Sequence, residues 1–148
     1  LGVCNGFQIL CEAGLLPGAL LHNESQKFIC RNVHLKPVSR KASITSNLDA
    51  DSPLMIPIAH GEGNYHIDSD GLKALEDGDQ VLFQYCDERG KVNPWSNPNG
   101  SIHHIAGVAN KNMNVFGMMP HPERAASEDL GNTDGASILE GLVALAEA

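Results

Sequence analysis

Two short stretches of this 148-residue chain hold side chains that can do chemistry together. The first is LGVCNG at the start, where Cys4 has Gly2 and Gly6 two positions to either side and an apolar run before it. The second is MMPHPER, where His121 stands between Pro120 and Pro122 and Glu123 follows two residues later. An apolar strand that ends in G-x-C-x-G and leads into a helix has the layout of a nucleophile elbow, with cysteine in place of serine. The glycines permit a sharp turn where side chains would strike neighbouring strands. The turn sets the sulfur at a helix N-terminus, whose positive potential is expected to lower the thiol pKa and leave a thiolate at neutral pH.

A nucleophile needs a base, and the base needs an orienting group. His121 can take the thiol proton while Glu123 holds its other ring nitrogen. Residues two apart in an extended segment point to one side, and the flanking prolines are expected to keep the segment from coiling. Each stretch also has a plainer reading, a small buried cysteine between packing glycines and a loop histidine beside a solvated glutamate. Their presence in one chain points to a Cys-His-Glu triad. Cys11 has no glycine frame and reads as a buried helix residue.

These residues need a scaffold. Leu1 to Val3 reads as the end of a buried strand, and residues 6 to 13 as a helix stopped by Gly14 and Pro17. KFICRNVHLK reads as a half-buried strand with Phe28 and Cys30 among its inward residues and a bulge near Asn32. Residues 39 to 53 read as a loop with room for a short strand at Ala42 to Thr45. LMIPIAH is an edge strand because of Pro57, and GEGNYH a glycine-rich loop. A helix capped by Ser69 or Asp70 runs to Glu76 and ends at Gly78. QVLFQY, IHHIAGVAN and VFGMM are strands, the last two joined by an NKNMN turn. A last helix runs from Ala136 to Ala148, capped by Thr133 or Asp134. Strands and helices in this order predict one α/β domain over 1–148 with an antiparallel excursion in its middle.

The net charge of -8, with 18 acidic against 10 basic residues, disfavours nucleic acid and anionic lipid as partners. No apolar stretch is long enough for a membrane helix. The four cysteines lack CxxC spacing and read as free thiols. His60, Glu62 and His66 fit no zinc signature, and His103 and His104 would face opposite sides of a strand. No metal site is expected. A first strand that is already apolar, with no methionine before it, suggests that an N-terminal part is absent.

GVCNGFQIL together with MPHPER resembles the class I (triad) glutamine amidotransferases. EAGLLPGALLHN, KFICRNVHLK, PIAHGEGNY, NPNGSIHHIAGVAN and VFGMMPHPERA resemble one branch of that class, the glutaminase subunits of the phosphoribosylformylglycinamidine synthases of purine biosynthesis. The resemblance implies a flavodoxin-like doubly wound sheet whose first strands are missing here. It implies Cys4 as nucleophile, His121 as general base then acid, and Glu123 as its orienting partner. It implies the Asn5 backbone N–H as an oxyanion donor, a second donor upstream of residue 1, and Gln8 as a glutamine-pocket residue. The implied reaction hydrolyses L-glutamine through a γ-glutamyl thioester and passes ammonia to a synthase subunit, with a small third subunit completing the complex. No cofactor is expected in this chain, since ATP and magnesium would act on the partner, in the cytoplasm. Other readings are another amidotransferase branch, a related cysteine hydrolase or chaperone, and a non-catalytic docking module that offers Tyr65, Trp95 and nearby loops to a partner.

Overall fold

The structure, a computed structural model, describes residues 1–148. The chain enters as β1 (Gly2–Val3), breaks at Cys4 and continues as helix α1 (Asn5–Glu12). The helix closes in a Schellman arrangement: Gly14, at φ 71°, donates its N–H to the Cys11 carbonyl, and Leu15 donates to the Leu10 carbonyl. Then come β2 (Ala19–Leu21), β3 (Ile29–Pro37), α2 (Ser43–Ser46), β4 (Leu54–His60) and β5 (Asn64–His66). The chain finishes with α3 (Ser69–Asp77), β6 (Val81–Cys86), β7 (Ile105–Ala109), β8 (Phe116–Met118) and α4 (Ala136–Glu147).

Six strands form one sheet in the order β1-β8-β7-β6-β3-β4, and β2 pairs with β5 apart from it. Only β1 and β8 run parallel; the other pairings of the large sheet are antiparallel. The sheet is covered on both faces. One apolar cluster joins Val33, Leu35, Ile56, Ile58 and Phe83 to Ile44 of α2 and Ile138 of α4. The other joins Val81, Ile105 and Val108 to Phe7 of α1 and Leu72 and Leu75 of α3. The layering is therefore helix, sheet, helix, with α1 and α3 on one side and α2 and α4 on the other.

The sheet curls until its two terminal strands meet. The Cys4 sulfur, one residue past β1, lies 3.7 Å from the Ala59 carbonyl oxygen of β4. The outer edge of β4 is serviced along its length. Pro57 has no N–H to give, so it sits where a strand residue turns its polar groups away from its neighbour; Met55 and Ala59, two residues to either side, turn the same way. Asp134 accepts from the Met55 N–H at 2.8 Å, and Asn132 Nδ2 donates to the Met55 carbonyl at 2.6 Å. The His121 N–H donates to the Pro57 carbonyl at 2.9 Å. An edge that would otherwise invite another strand is thereby closed by the segment that carries the histidine.

Several local expectations are corrected. β3 pairs with β4 without a bulge, and its inward residues are Val33, Leu35 and Pro37, leaving Phe28 and Cys30 exposed. Residues Ser43–Ser46 are a helical turn, not a strand. β5 falls in the GEGNYH stretch expected to be a loop, and β2 had no expected element, because three-residue strands carry too little periodicity to detect. The cap of α3 is Asp68, which accepts from the Gly71 N–H at 2.7 Å. Asp134 does not cap α4, since its carboxylate is spent on β4. His103 and His104 lie in a turn at φ 47° and 60° before β7, not within a strand.

β8 passes directly beneath α1, and a Cβ at Gly117 would run into the Phe7 ring and meet the Leu16 side chain at 2.6 Å. Gly117→Ala is expected to lower stability by about 1–3 kcal/mol through overpacking. A urea titration checks this: the midpoint should fall with the slope unchanged, and an unshifted midpoint would mean that α1 yields freely.

Candidate active site

Cys4 holds a backbone conformation that L-residues avoid, φ 52° and ψ -108°. Such strain costs on the order of 1–3 kcal/mol and persists only where the surroundings enforce it. Here they do. The Cys4 N–H donates to the Met118 carbonyl at 2.8 Å, continuing the β1–β8 ladder, and the Cys4 carbonyl accepts from the Phe7 and Gln8 N–H groups at 3.0 and 3.2 Å. The residue at once extends the hydrogen-bond ladder of a strand and caps a helix. Its flanking glycines are unequal. A Cβ on Gly2 would lie 2.6 Å from the Gly6 carbonyl oxygen, whereas one on Gly6 would meet nothing. The close approach that requires glycine is between β1 and the first turn of α1, not between the elbow and neighbouring strands.

His121 follows β8 and opens a 3-10 turn, Pro122–Ala125. The prolines do not forbid coiling: Pro122 starts the turn at the position where its missing N–H costs nothing. Glu123 is brought back onto the ring within that turn, with Oε1 2.6 Å from His121 Nδ1. A carboxylate only accepts, so Nδ1 carries the proton and Nε2 the lone pair. Nε2 is buried and has no partner in the fold. The Arg124 Nε lies 3.8 Å from the same Glu123 oxygen and balances its charge.

β4 anchors both the Cys4 sulfur and the His121 backbone. Ala59 takes the Cys4 thiol and Pro57 the His121 N–H, both on one edge and two residues apart, about 7 Å along a strand. Both Glu123 and Arg124 act on the sulfur electrostatically. The thiol, however, is not a resting thiolate. Burial pushes its pKa up and outweighs the lowering by the Asn5 N–H and by Arg124, while Glu123 adds to the rise. The helix N-terminus contributes as expected but loses to desolvation. A protonated thiol reacts only with a base to take its proton, and His121 Nε2 is a buried nitrogen with no partner of its own.

Asn5 and Gln8 project from the first turns of α1. The Asn5 N–H favours the ionised form of the Cys4 thiol. Gln8 Nε2 donates to the Glu62 carbonyl at 2.8 Å, so that α1 and the GEG loop close two sides of a cleft of about 320 Å³ that also touches Gly18 and Leu20. Cys11 lies inside α1 with its thiol on the Pro17 carbonyl at 3.8 Å, pushed up to about 11 by burial. His60, Glu62 and His66 do not converge: His60 is buried, His66 is exposed, and Glu62 faces His22 at 3.5 Å. Tyr65 is no docking residue, since it is buried in a stack on Phe7 and donates to the Pro17 carbonyl at 2.7 Å. Trp95 is 86% exposed. Sequence reasoning missed the buried polar cluster of His60, Tyr85, Asn99 and Ser101, whose signal is the density of polar residues in NPNGS.

Residues 1–134 match the CobB/CobQ-like glutamine amidotransferase domain. The chain belongs to this glutamine amidotransferase family. It is 50% identical over 143 residues to a phosphoribosylformylglycinamidine synthase subunit PurQ of Aquifex aeolicus, and 52% identical to one of Sulfurimonas denitrificans. Each alignment covers 97% of the chain and 63% or 62% of the relative, so the chain spans about three fifths of their length. A solved structure titled PurLQS from Thermotoga maritima superposes with a TM-score of 0.80 at 40% identity, over 97% of this chain and 59% of that one. The fold is thus the α/β fold of the class I amidotransferases.

Two outcomes test the site of this amidotransferase domain. Gly2→Ala should destabilise the elbow by at least about 1–3 kcal/mol, whereas Gly6→Ala should be neutral or gain up to about 1 kcal/mol from helix propensity. Melting temperatures decide, and equal losses would contradict the asymmetry. Because the Cys4 pKa lies above its ordinary value, the thiolate fraction grows as pH rises. Peptide-resolved alkylation of Cys4 by iodoacetamide should therefore accelerate steadily from about pH 6 to about pH 9. A rate already level at pH 6 would show a preformed thiolate instead.

Proposed function

We propose that this chain is the glutaminase portion of a phosphoribosylformylglycinamidine synthase. The observation that carries the reading is the strained cysteine elbow set on the same strand edge as a buried, carboxylate-bound histidine. The relatives at about half identity support the choice of branch.

The cleft lined by Asn5, Gln8 and Glu62 receives L-glutamine; Cys4 is not among its walls, so the side-chain amide extends past Asn5 to reach the sulfur. His121 Nε2 takes the thiol proton as the sulfur attacks the amide carbon. The negative charge then moves to the carbonyl oxygen, where the Asn5 N–H is an available donor; such a donor is worth about 10²–10³ in rate. The imidazolium, steadied by Glu123, gives the proton to the departing nitrogen, and ammonia leaves a γ-glutamyl thioester. Water, deprotonated by the same Nε2, hydrolyses the thioester to glutamate and restores the thiol. The ammonia passes to a synthase subunit that uses ATP and magnesium to convert formylglycinamide ribonucleotide into the amidine, with a small third subunit in the complex. The reaction belongs to the cytoplasm, where glutamine and ATP are drawn together. No helix of the chain is long and apolar enough to cross a membrane.

Glutamine-dependent ammonia release, measured with the synthase subunits present, tests the reading. Cys4→Ser should abolish release. Glu123→Gln should lower kcat by about 10²-fold or more while the fold is kept, because an amide no longer fixes the ring tautomer or steadies its charge. A glutamine-like diazoketone should label Cys4 alone, and glutamine should protect it. Undiminished release by the Cys4 variant, or labelling that ignores Cys4, would overturn the proposal.

A further inference from the structure

Three buried polar side-chain atoms have no partner in the fold: Ser43 Oγ, His60 Nδ1 and His121 Nε2. Ser43 opens α2, packed against α4 and away from the elbow. His121 Nε2 is the atom that the proposed chemistry uses. His60 Nδ1 is unexplained, and its surroundings are built to a plan.

His60 ends β4 and is 3% exposed. Its tautomer is set from outside. The Ser101 N–H donates to Asn99 Oδ1 at 3.1 Å, which fixes the amide oxygen on that side. Asn99 Nδ2 therefore donates to Tyr85 Oη at 3.2 Å and to His60 Nε2 at 3.1 Å. A ring nitrogen that accepts from an amide carries no proton, so the proton of the neutral ring is on Nδ1. The ring has no freedom to turn away, since Gly63 lies so close that a Cβ there would run into it. Asn23 holds the turn behind it, with Nδ2 on the His60 carbonyl at 2.9 Å and Oδ1 on the Gly63 N–H at 3.0 Å. The fold thus spends Asn23, Gly63, Asn99 and Ser101 on presenting one N–H that no protein atom accepts. Buried donors are normally paired, so this one implies a partner supplied in use.

The site lies beside it. The Ala59 carbonyl, in the peptide bond that joins Ala59 to His60, is the acceptor of the Cys4 thiol. His121 acts on the His60 ring, and Cys4 acts on Tyr85. The other charged groups near the sulfur are Glu123 and Arg124. Burial, with His121 adding to it, lowers the His60 pKa to about 4, so the ring stays neutral above that pH and adds no charge to oppose an imidazolium.

We propose that His60 is a further functional residue of this site, a neutral imidazole whose Nδ1–H donor holds the negative charge that forms on the Cys4 sulfur when the thiol gives up its proton and turns from the Ala59 carbonyl. This rests on the proton transfer proposed above but not on the identity of the substrate, and its test needs no glutamine.

Asparagine places an amide N–H close to the position of a histidine Nδ1, and glutamine places a polar atom close to that of Nε2. His60→Asn keeps the donor and loses the Asn99 contact; His60→Gln keeps the contact and loses the donor. Peptide-resolved alkylation of Cys4 against pH is read in the parent and both variants, with exposed Cys30 as the internal control and melting temperature as the check on folding. His60→Gln should slow Cys4 alkylation at neutral pH by about tenfold or more and move its titration to higher pH, as loss of a hydrogen bond to a charged group does. His60→Asn should stay within about threefold of the parent, and Cys30 should not change. A folded His60→Gln protein with the parental Cys4 titration overturns the proposal whatever His60→Asn does. Equal slowing in two folded variants overturns it too, since it would mean that the ring only packs.

Discussion

The outer edge of β4 is the constraint on which the rest of the structure depends. Three alternate residues of one strand each turn a carbonyl outward, and each carbonyl has a different client: Met55 takes Asn132, Pro57 takes the His121 backbone, and Ala59 takes the Cys4 thiol. The strand repeat of about 3.3 Å per residue thus becomes the ruler that spaces the attachment of the Cys4 sulfur from that of the His121 backbone. A proline in the middle of this edge is fitting. Its missing N–H removes a donor that would have had no acceptor there, and its carbonyl remains available. The same contacts close the curl of the sheet, so the two ends of the strand order are joined by the site itself.

This arrangement explains how a strained cysteine can be maintained. The backbone at Cys4 would relax if either side let go, yet its N–H belongs to the β8 ladder and its carbonyl to α1. Phe7, on the next turn, anchors α1 in a core shared with Leu16, Tyr65 and Met119. The strain is therefore met by burial of apolar surface at a distance, the ordinary way in which a fold supports an unfavourable local geometry. Gly2 is required for the same reason, since strand and helix must nearly touch where the chain reverses.

What could be read from the sequence follows the same division. The elbow, the His121–Glu123 pair and the edge character of the Pro57 strand were legible because each depends on residues adjacent in sequence: glycines about a cysteine, a carboxylate two residues past a histidine, a proline in an apolar run. The central strands were legible from their branched and aromatic content. What escaped was non-local. The phase of β3 depends on its partner strand and not on its own alternation, which put Phe28 and Cys30 outside. Asp134 looks like a helix cap until β4, 79 positions away in sequence, claims it. The Asn99 network joins residues from β4, β6 and a loop, and no spacing in the chain announces it. The thiol pKa was misjudged because helix position is local while desolvation is a property of the whole fold.

That last difference bears on how the site works. A thiolate exposed at rest would react with whatever electrophile reached it. A half-buried thiol whose pKa is raised stays protonated, and separating its charge in a poorly solvated place is costly unless both products are supported at once. In the proposed proton transfer, the cationic half of the pair is supported by Glu123, which is half-exposed and neighbours Arg124, so its carboxylate keeps much of its hydration. The anionic half has the Asn5 N–H and lies beside the neutral cluster of His60, Asn99 and Tyr85, none of which brings a charge of its own. In the proposed reaction, charge separation becomes favourable only as the amide carbon arrives to share the sulfur's electrons. The geometry favours a nucleophile that is made at the moment of use and not stored.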